Sequence, residues 1–176
     1  TGAIDPRLYR LVQFAAPTDE ELAHQYLWRF WRNIERDGRC TFFDRYWYGR
    51  VLVERVEGYA TADEWQRAYA EINQFEQQLV EHGSIVVKFW IHISKDEQIK
   101  RFKAREKEAH KRHKITEEDW RNREKWHEYA QAVDQMVSRT STSHAPWTLV
   151  SGDDKPYARI QILKTFCKTM KRALED

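Results

Sequence analysis

The stretch CTFFDRYWYGRVLVERVEGY, residues 40–59, joins a short apolar strand to a charged and aromatic segment. Residues 40–43 have the continuous hydrophobicity of a strand covered on both faces, which is typical of parallel sheets with helical crossovers. Asp44 follows this strand directly. Because ligands of open parallel sheets bind beyond the carboxyl ends of the strands, a carboxylate at this point is placed to hold a divalent cation.

Two interpretations of Asp44 stay open on these residues alone. Arg45, Arg50 and Arg55 follow it, and a guanidinium group binds phosphate oxygens through paired hydrogen bonds, which favours a phosphate-rich magnesium site. Alternatively, Asp44 caps the next helix and the arginines are solvated, because an apolar run that ends in Asp is a common pattern.

The rest of the chain alternates further strands with helices. Four pairs have the spacing of helix-capping boxes: Thr18 with Glu21, Thr61 with Glu64, Ser94 with Glu97, and Thr116 with Asp119. We predict strands over residues 7–15, 40–43, 85–93 and 147–151, and helices over 18–34, 47–57, 61–79, 94–112, 116–139 and 155–174. This order predicts an α/β fold with a parallel sheet and helices on both faces. The two charged helices within residues 95–139 are expected to form a lid.

Length and charge bound the function. The 176 residues and net charge of +2 predict one domain over residues 1–176 and argue against polyanion binding by the whole surface. The most apolar stretch, residues 84–93, is about half of a membrane span and contains Lys88. The absence of an apolar leader and of metal-ligand spacing around Cys40 and Cys167 predicts a cytoplasmic protein.

Positive charge is concentrated in residues 100–114, where eight lysines and arginines face two glutamates. One interpretation is a solvated helix face with ion pairs between successive turns. The other is a binding surface for an extended polyanion, which would relieve the repulsion within the segment. A nucleic-acid interface is the weaker choice, because Phe102 is the only aromatic residue there on which a base could stack.

Four segments together resemble the polyphosphate kinase 2 family. FFDRYWYGRVLVERVEGYA, residues 42–60, resembles its Walker B segment. APTDEELAHQYLWRFWR (16–32), KFWIHISKDEQIKRFKAR (88–105) and APWTLVSGDDKPYARIQIL (145–163) resemble its neighbouring segments in order and spacing. The resemblance extends over about residues 5–171 and is closest to the polyphosphate:AMP phosphotransferases of the family, which often carry two such domains in tandem.

This resemblance implies a P-loop kinase-like fold with a helical lid. The implied activity moves a terminal phosphoryl group between inorganic polyphosphate and AMP, or a nucleoside diphosphate, with Mg²⁺. Asp44 would hold the magnesium ion, and Arg45 and Arg50 would contact the transferring phosphates. The implied polyphosphate-binding residues of the lid are Arg101, Arg105, Lys111, Arg112 and Lys114. Asp154, Lys155 and Arg159 are candidate nucleotide-binding residues.

One departure from the family pattern concerns the Walker A loop. No GxxxxGK sequence occurs in the 176 residues, so the backbone cradle and the lysine that hold phosphates in this fold are expected to be missing, together with the strand before them. We therefore expect a partial kinase domain that is inactive alone and that belongs to a homo-oligomer or a tandem-domain protein. The alternative is a noncatalytic polyanion-binding or scaffolding half of such a protein.

Overall fold

A computed structural model describes residues 4–108 and 117–175 of the chain. The fold is a mixture of helices and short parallel strands. It divides into two compact units, Thr1–Ala68 and Tyr69–Asp176. The prediction of one domain with a lid over residues 95–139 stays a prediction.

The first unit contains the strand that ends in Asp44. Its elements are a 3₁₀ helix Pro6–Leu8, β1 Tyr9–Gln13, α1 Asp19–Leu22, α2 Trp28–Trp31, β2 Cys40–Asp44, a 3₁₀ helix Trp47–Val51, α3 Val53–Val56 and the first part of α4 Ala62–Glu81. Strands β1 and β2 are parallel, and their register runs from Tyr9 beside Cys40 to Gln13 beside Asp44. Both strands therefore end at the same edge.

An aromatic cluster forms the core of this unit beside the strand ends. The rings of Phe14 and Phe30 lie 4.6 Å apart between centroids, and those of Phe43 and Trp47 lie 5.2 Å apart, each pair edge to face. Phe30 and Trp47 are buried. Burial of such rings is a major stabilising contribution to a small unit, and here it fixes the segment that follows Asp44.

Three predicted helices differ from the structure, and the one predicted over residues 116–139 is interrupted at Lys125, whose φ of −85° and ψ of 27° leave helical geometry. The capping box of Thr18 and Glu21 is confirmed, but the helix predicted over residues 18–34 is divided into α1 and α2. Between them, the Leu27 N–H donates to the side chain of Gln25 at 2.8 Å, and such local side-chain bonds compete with helix formation. The helix predicted over residues 47–57 is a 3₁₀ helix followed by α3, because Leu52 leaves helical geometry with φ −112° and ψ −97°.

The second unit is built around another pair of parallel strands. Its elements are the rest of α4, β3 Lys88–His92, α5 Lys95–Lys107, α6 Glu117–Glu124, α7 Trp126–Thr140, β4 Trp147–Ser151 and α8 Lys155–Glu175. The register runs from Lys88 beside Trp147 to His92 beside Ser151. Parallel pairing is thus confirmed in both units, but the described strands form two two-stranded sheets rather than one. None of the described helices has the length and apolar character that a membrane span requires.

A buried ion pair ties four elements of the second unit together. Lys88 Nζ on β3 donates to Glu76 Oε2 on α4 at 2.7 Å and to the Thr140 carbonyl at the end of α7 at 2.8 Å. It also lies 5.0 Å from the ring centre of Trp147 on β4. Lys88 and Glu76 are 2% and 0% exposed. Burial lowers the pKa of Lys88, whereas the Glu76 carboxylate opposes that shift, so the ammonium group depends on its partner.

We expect Lys88→Met to lower the free energy of unfolding by about 3 to 5 kcal/mol, because it leaves the Glu76 charge buried without its cation. Glu76→Leu combined with Lys88→Met replaces both charges by apolar side chains and should recover most of that loss. Urea denaturation of the protein that carries this chain measures both variants. An equal loss in the single and double variants would contradict the importance of the pair.

Candidate active site

Asp44 lies at the carboxyl edge of the β1–β2 sheet, where its position at the end of a strand is confirmed. Its neighbour across the register is Gln13, the last residue of β1. The Gln13 side-chain amide donates a hydrogen bond to Asp44 Oδ2 at 2.9 Å. Both side chains are exposed, so the second carboxylate oxygen, Oδ1, can bind a ligand from solvent.

The capping interpretation of Asp44 is wrong. The helix that follows is the 3₁₀ helix Trp47–Val51, whose N-cap residue is Tyr46, and no side-chain hydrogen bond caps it. The Asp44 side chain instead bonds to Gln13 across the sheet. Its carboxylate therefore does not serve the helix, and this removes the structural explanation that competed with a ligand-binding one.

Arg45 turns the chain sharply after Asp44. Its φ is +60°, and it is the one non-glycine residue with positive φ in the described part of the chain. A residue with a Cβ atom adopts this left-handed region at a cost, and such residues occur preferentially in functional sites. Arg45 is exposed, so its guanidinium group is accessible to a ligand from solvent.

Arg50 lies in a network of charged side chains. Its Nε is 2.8 Å from Glu54 Oε2 and its Nη1 is 3.3 Å from Glu64 Oε1. Its guanidinium carbon lies 4.6 Å from the ring centre of Tyr26. Because the side chain is 16% exposed, Arg50 has to exchange at least one of these partners before it can contact a phosphate.

Burial and opposite charges act against each other on Glu54 in this network. Burial raises the pKa of Glu54, and the positive charges of Arg50 and Arg29 oppose the rise. Arg29 is 13% exposed and pairs with Glu21 at 3.2 Å. Sequence reasoning missed Arg29, because one arginine among the aromatic residues of a helix carries no distinctive spacing. Gln13 was missed as well, although parallel pairing of two strand ends would have found it once the register was known.

The carboxyl edge of the β3–β4 sheet is held by Arg101 and Asp153. Arg101 Nε is 2.7 Å from Glu97 Oε1, and its Nη2 donates to the carbonyls of Gly152 at 2.6 Å and Asp153 at 3.1 Å. The Ser94 N–H donates to Asp153 Oδ1 at 2.7 Å, and this bond lowers the pKa of Asp153. Arg101 and Asp153 thus fix the start of α5 against the loop after β4.

The other predicted site residues of this unit have different surroundings. Asp154 caps α8 by accepting a hydrogen bond from the Tyr157 N–H at 2.9 Å, as its position before the helix indicates. Lys155 and Arg159 are exposed on the first turns of α8, and Arg105 is half-buried on α5. Lys111, Arg112 and Lys114 lie outside the described residues. The structure therefore brings Arg101, Asp153 and Asp154 to one edge, with Lys155 and Arg159 nearby in the sequence.

Gly152 allows a close backbone approach at this edge. Its N–H donates to the His92 carbonyl at 2.6 Å. A Cβ atom at position 152 would lie 2.8 Å from Ile91 Cγ2, 2.9 Å from Ile93 Cγ2 and 3.1 Å from the His92 carbonyl oxygen. Since the Cγ2 atoms of the β-branched Ile91 and Ile93 lie close to their own backbone and have little freedom to move away, only glycine fits without displacing the loop that carries Asp153 and Asp154.

The chain is similar to known phosphotransferases over its whole length. The sequence profile of the family Polyphosphate kinase 2 (PPK2) matches residues 1–176. A polyphosphate:AMP phosphotransferase of Pseudomonas aeruginosa is 58% identical over 173 residues, which are 98% of this chain and 35% of that protein. A polyphosphate:AMP phosphotransferase of Acinetobacter johnsonii is 56% identical over 96% of this chain and 35% of that protein. The chain thus spans about a third of the length of these relatives.

A solved structure shares the fold. The crystal structure of a protein described as a putative polyphosphate kinase 2 from Pseudomonas aeruginosa superposes with a TM-score of 0.96 and is 57% identical, covering 99% of this chain and 38% of that one.

We expect Gly152→Ala to destabilise the protein by about 2 kcal/mol, the range of an overpacked site, because the added methyl group meets Ile91, Ile93 and the His92 carbonyl. Gly49→Ala is the matched control, since a Cβ atom there would make only ordinary contacts, 3.5 Å from Glu54 Oε1 and 3.8 Å from Val53 Cγ1. Thermal unfolding of both variants tests this. Equal melting temperatures would show that the loop moves freely to accept a side chain.

Proposed function

The chain belongs to the polyphosphate kinase 2 family, and we propose that it forms part of an enzyme that moves a terminal phosphoryl group between inorganic polyphosphate and AMP with Mg²⁺. Because the chain spans about a third of its relatives, with 35% coverage of the first, this activity is proposed for the whole protein. The observation that carries the proposal is that the Asp44 carboxylate at the end of β2 is exposed and does not cap a helix. AMP is the proposed acceptor because the most similar relatives reported above are polyphosphate:AMP phosphotransferases.

Asp44 is suited to bind magnesium as a single carboxylate ligand. In the described stretches, 4–108 and 117–175, no group of three or more His, Cys, Asp or Glu side chains could form a metal site. Mg²⁺ is commonly bound by one or two carboxylates, with water and substrate phosphates completing its octahedron. A single exposed carboxylate fits that mode. When bound, the ion would neutralise phosphate charge, and Asp44 Oδ1 is the oxygen we assign to it.

The proposed reaction needs no protein nucleophile. A phosphate oxygen of AMP attacks the terminal phosphorus of polyphosphate and a new P–O bond forms, which gives ADP. The bond from that phosphorus to its bridging oxygen breaks, and the electron pair remains on the shortened polyphosphate. Catalysis then depends on positioning and on charge compensation. We assign direct phosphate contact to the exposed Arg45 and a contribution from Arg50 once it exchanges an ion-pair partner.

The proposed polyphosphate contacts lie on and after α5. Two of the predicted polyphosphate-binding residues, Arg101 and Arg105, lie in the described part of the chain. Arg105 is the stronger candidate for direct contact with polyphosphate, because Arg101 already binds Glu97 and two backbone carbonyls. We propose that Arg101 anchors the lid and that Lys111, Arg112 and Lys114 supply charge for the polyanion. The sequence contains no GxxxxGK loop. We therefore also propose that the 176 residues of this chain do not catalyse the reaction by themselves.

The assignment of Asp44 predicts that Asp44→Asn lowers ADP formation from AMP, polyphosphate and Mg²⁺ by at least about 100-fold in the full-length protein, because a group that compensates transition-state charge is lost. Asp37→Asn is the control: Asp37 is exposed in the turn before the same strand, and its replacement should leave the rate unchanged. A coupled assay of ADP measures both variants. Wild-type rates in Asp44→Asn would remove Asp44 from the mechanism and favour the noncatalytic alternative.

The lid assignment predicts that replacing Lys111, Arg112 and Lys114 together by Ala raises the KM for polyphosphate about tenfold at low salt, with a smaller difference at high salt because ions screen exposed charges. The matched control replaces Lys164, Lys168 and Lys171, three exposed lysines of α8, and removes the same charge. Initial rates over a salt series measure both triple variants. The same KM increase in both would indicate a general charge effect and contradict a lid-specific site.

A further inference from the structure

We propose that Gln13 is a positioning residue for Asp44: its neutral amide fixes the carboxylate so that Oδ1 faces the metal ion. The inference rests on the proposed function, since it gives Gln13 a role toward the same cation. Its structural basis is the hydrogen bond of 2.9 Å from Gln13 Nε2 to Asp44 Oδ2. Within residues 4–108 and 117–175, no other hydrogen bond or ion pair reaches the Asp44 side chain.

The register of the sheet makes this contact a fixed feature. Gln13 and Asp44 are direct neighbours at the last paired position of β1 and β2. Side chains at such positions share one face of the sheet, and neighbouring strands lie about 5 Å apart. A one-residue shift would turn one of the two side chains to the opposite face. The backbone therefore holds the amide within reach of the carboxylate.

The chemistry of the two groups determines which one donates the hydrogen bond. An ionised carboxylate only accepts hydrogen bonds, so Gln13 has to present its NH₂ group to Asp44, and its carbonyl faces away. This bond occupies Oδ2 and restricts rotation of the carboxylate. Partners that orient a metal ligand in this way commonly affect metal affinity by tenfold or more.

A neutral donor suits this position better than a charged one. Lysine or arginine at position 13 would form an ion pair with Asp44, and its positive charge would compete with the metal ion for the same carboxylate. Glutamine orients the carboxylate and leaves its negative charge available. A cation at this position should therefore impair metal binding more than simple loss of the amide.

Three variants of the full-length protein test the proposal: Gln13→Leu, which removes the amide, Gln13→Lys, which adds a cation, and Gln77→Leu as the matched control. Gln77 is an exposed amide that donates to Glu81 Oε1 at 2.7 Å on α4, so its replacement removes a similar bond. Mn²⁺ is the probe, and water-proton relaxation measures its binding. The part of the binding that Asp44→Asn removes defines the site.

We expect Gln13→Leu to weaken Mn²⁺ binding at this site by about tenfold and to raise the Mg²⁺ concentration for half-maximal activity by a similar factor. Gln13→Lys should weaken binding further, while Gln77→Leu should match wild type. The rate at saturating Mg²⁺ and the melting temperature should change little, because Gln13 is exposed. A purely structural bond would instead shift the melting temperature and leave Mn²⁺ affinity unchanged.

Wild-type Mn²⁺ affinity and Mg²⁺ dependence in Gln13→Leu would overturn the inference, as would an equal loss in Gln77→Leu. Should Gln13→Leu fold poorly, Gln13→Lys decides, because wild-type Mn²⁺ affinity with a cation beside Asp44 is incompatible with the proposal. The experiment distinguishes failure of the Gln13 inference from failure of the proposed function. Loss of Mn²⁺ binding and activity in Asp44→Asn with a wild-type Gln13→Leu rejects only the role of Gln13, whereas wild-type Mn²⁺ binding and activity of Asp44→Asn reject the assignment of Asp44 on which the proposed function of this chain rests.

Discussion

Parallel strand pairing is the constraint on which the candidate site depends. In an antiparallel pair, the last residue of one strand lies beside the first residue of the next, whereas parallel strands end together. The register of β1 and β2 therefore brings Gln13 beside Asp44, and that of β3 and β4 brings His92 beside Ser151. In each unit the residues at the strand ends or just after them, rather than those in the strand interiors, supply the polar groups of the edge.

The two edges use their polar groups differently. In the second unit, Arg101 donates to the Gly152 carbonyl at 2.6 Å, and Asp153 accepts from the Ser94 N–H at 2.7 Å. The hydrogen bond from the Gly152 N–H to the His92 carbonyl also holds the loop after β4 in place. These charges stabilise the edge. In the first unit, Asp44 makes one side-chain hydrogen bond and Arg45 is exposed in a strained conformation. Charged residues at a strand end therefore differ in how far they are engaged: Arg101 and Asp153 bind backbone groups, whereas Asp44 shares one carboxylate oxygen with a neutral amide.

Local patterns in the sequence predicted much of this arrangement. The strand ending at Asp44, the capping boxes of Thr18 and Thr61 and the cap by Asp154 follow from short-range chemistry, and the structure has each of them. Contacts between distant residues could not be predicted, because the pairing of Lys88 with Glu76 and Thr140 depends on which helix faces meet the strand. The bond from Gln13 to Asp44 likewise requires the register, which the residues of one strand do not specify.

The charge network around Arg50 bears on how the first unit attracts a phosphate chain. Arg50 is compensated by Glu54 and Glu64, and Arg29 is compensated by Glu21, so their combined field at the edge is weak. An arriving phosphate has to compete with these carboxylates for either guanidinium group. In the proposed function, the attraction would therefore come from exposed charge, which in the described part of this unit includes Arg45, and from the cation that we propose for Asp44. Under this proposal the negative charge of Asp44 has to stay available to the cation, and a neutral partner such as Gln13 preserves that charge.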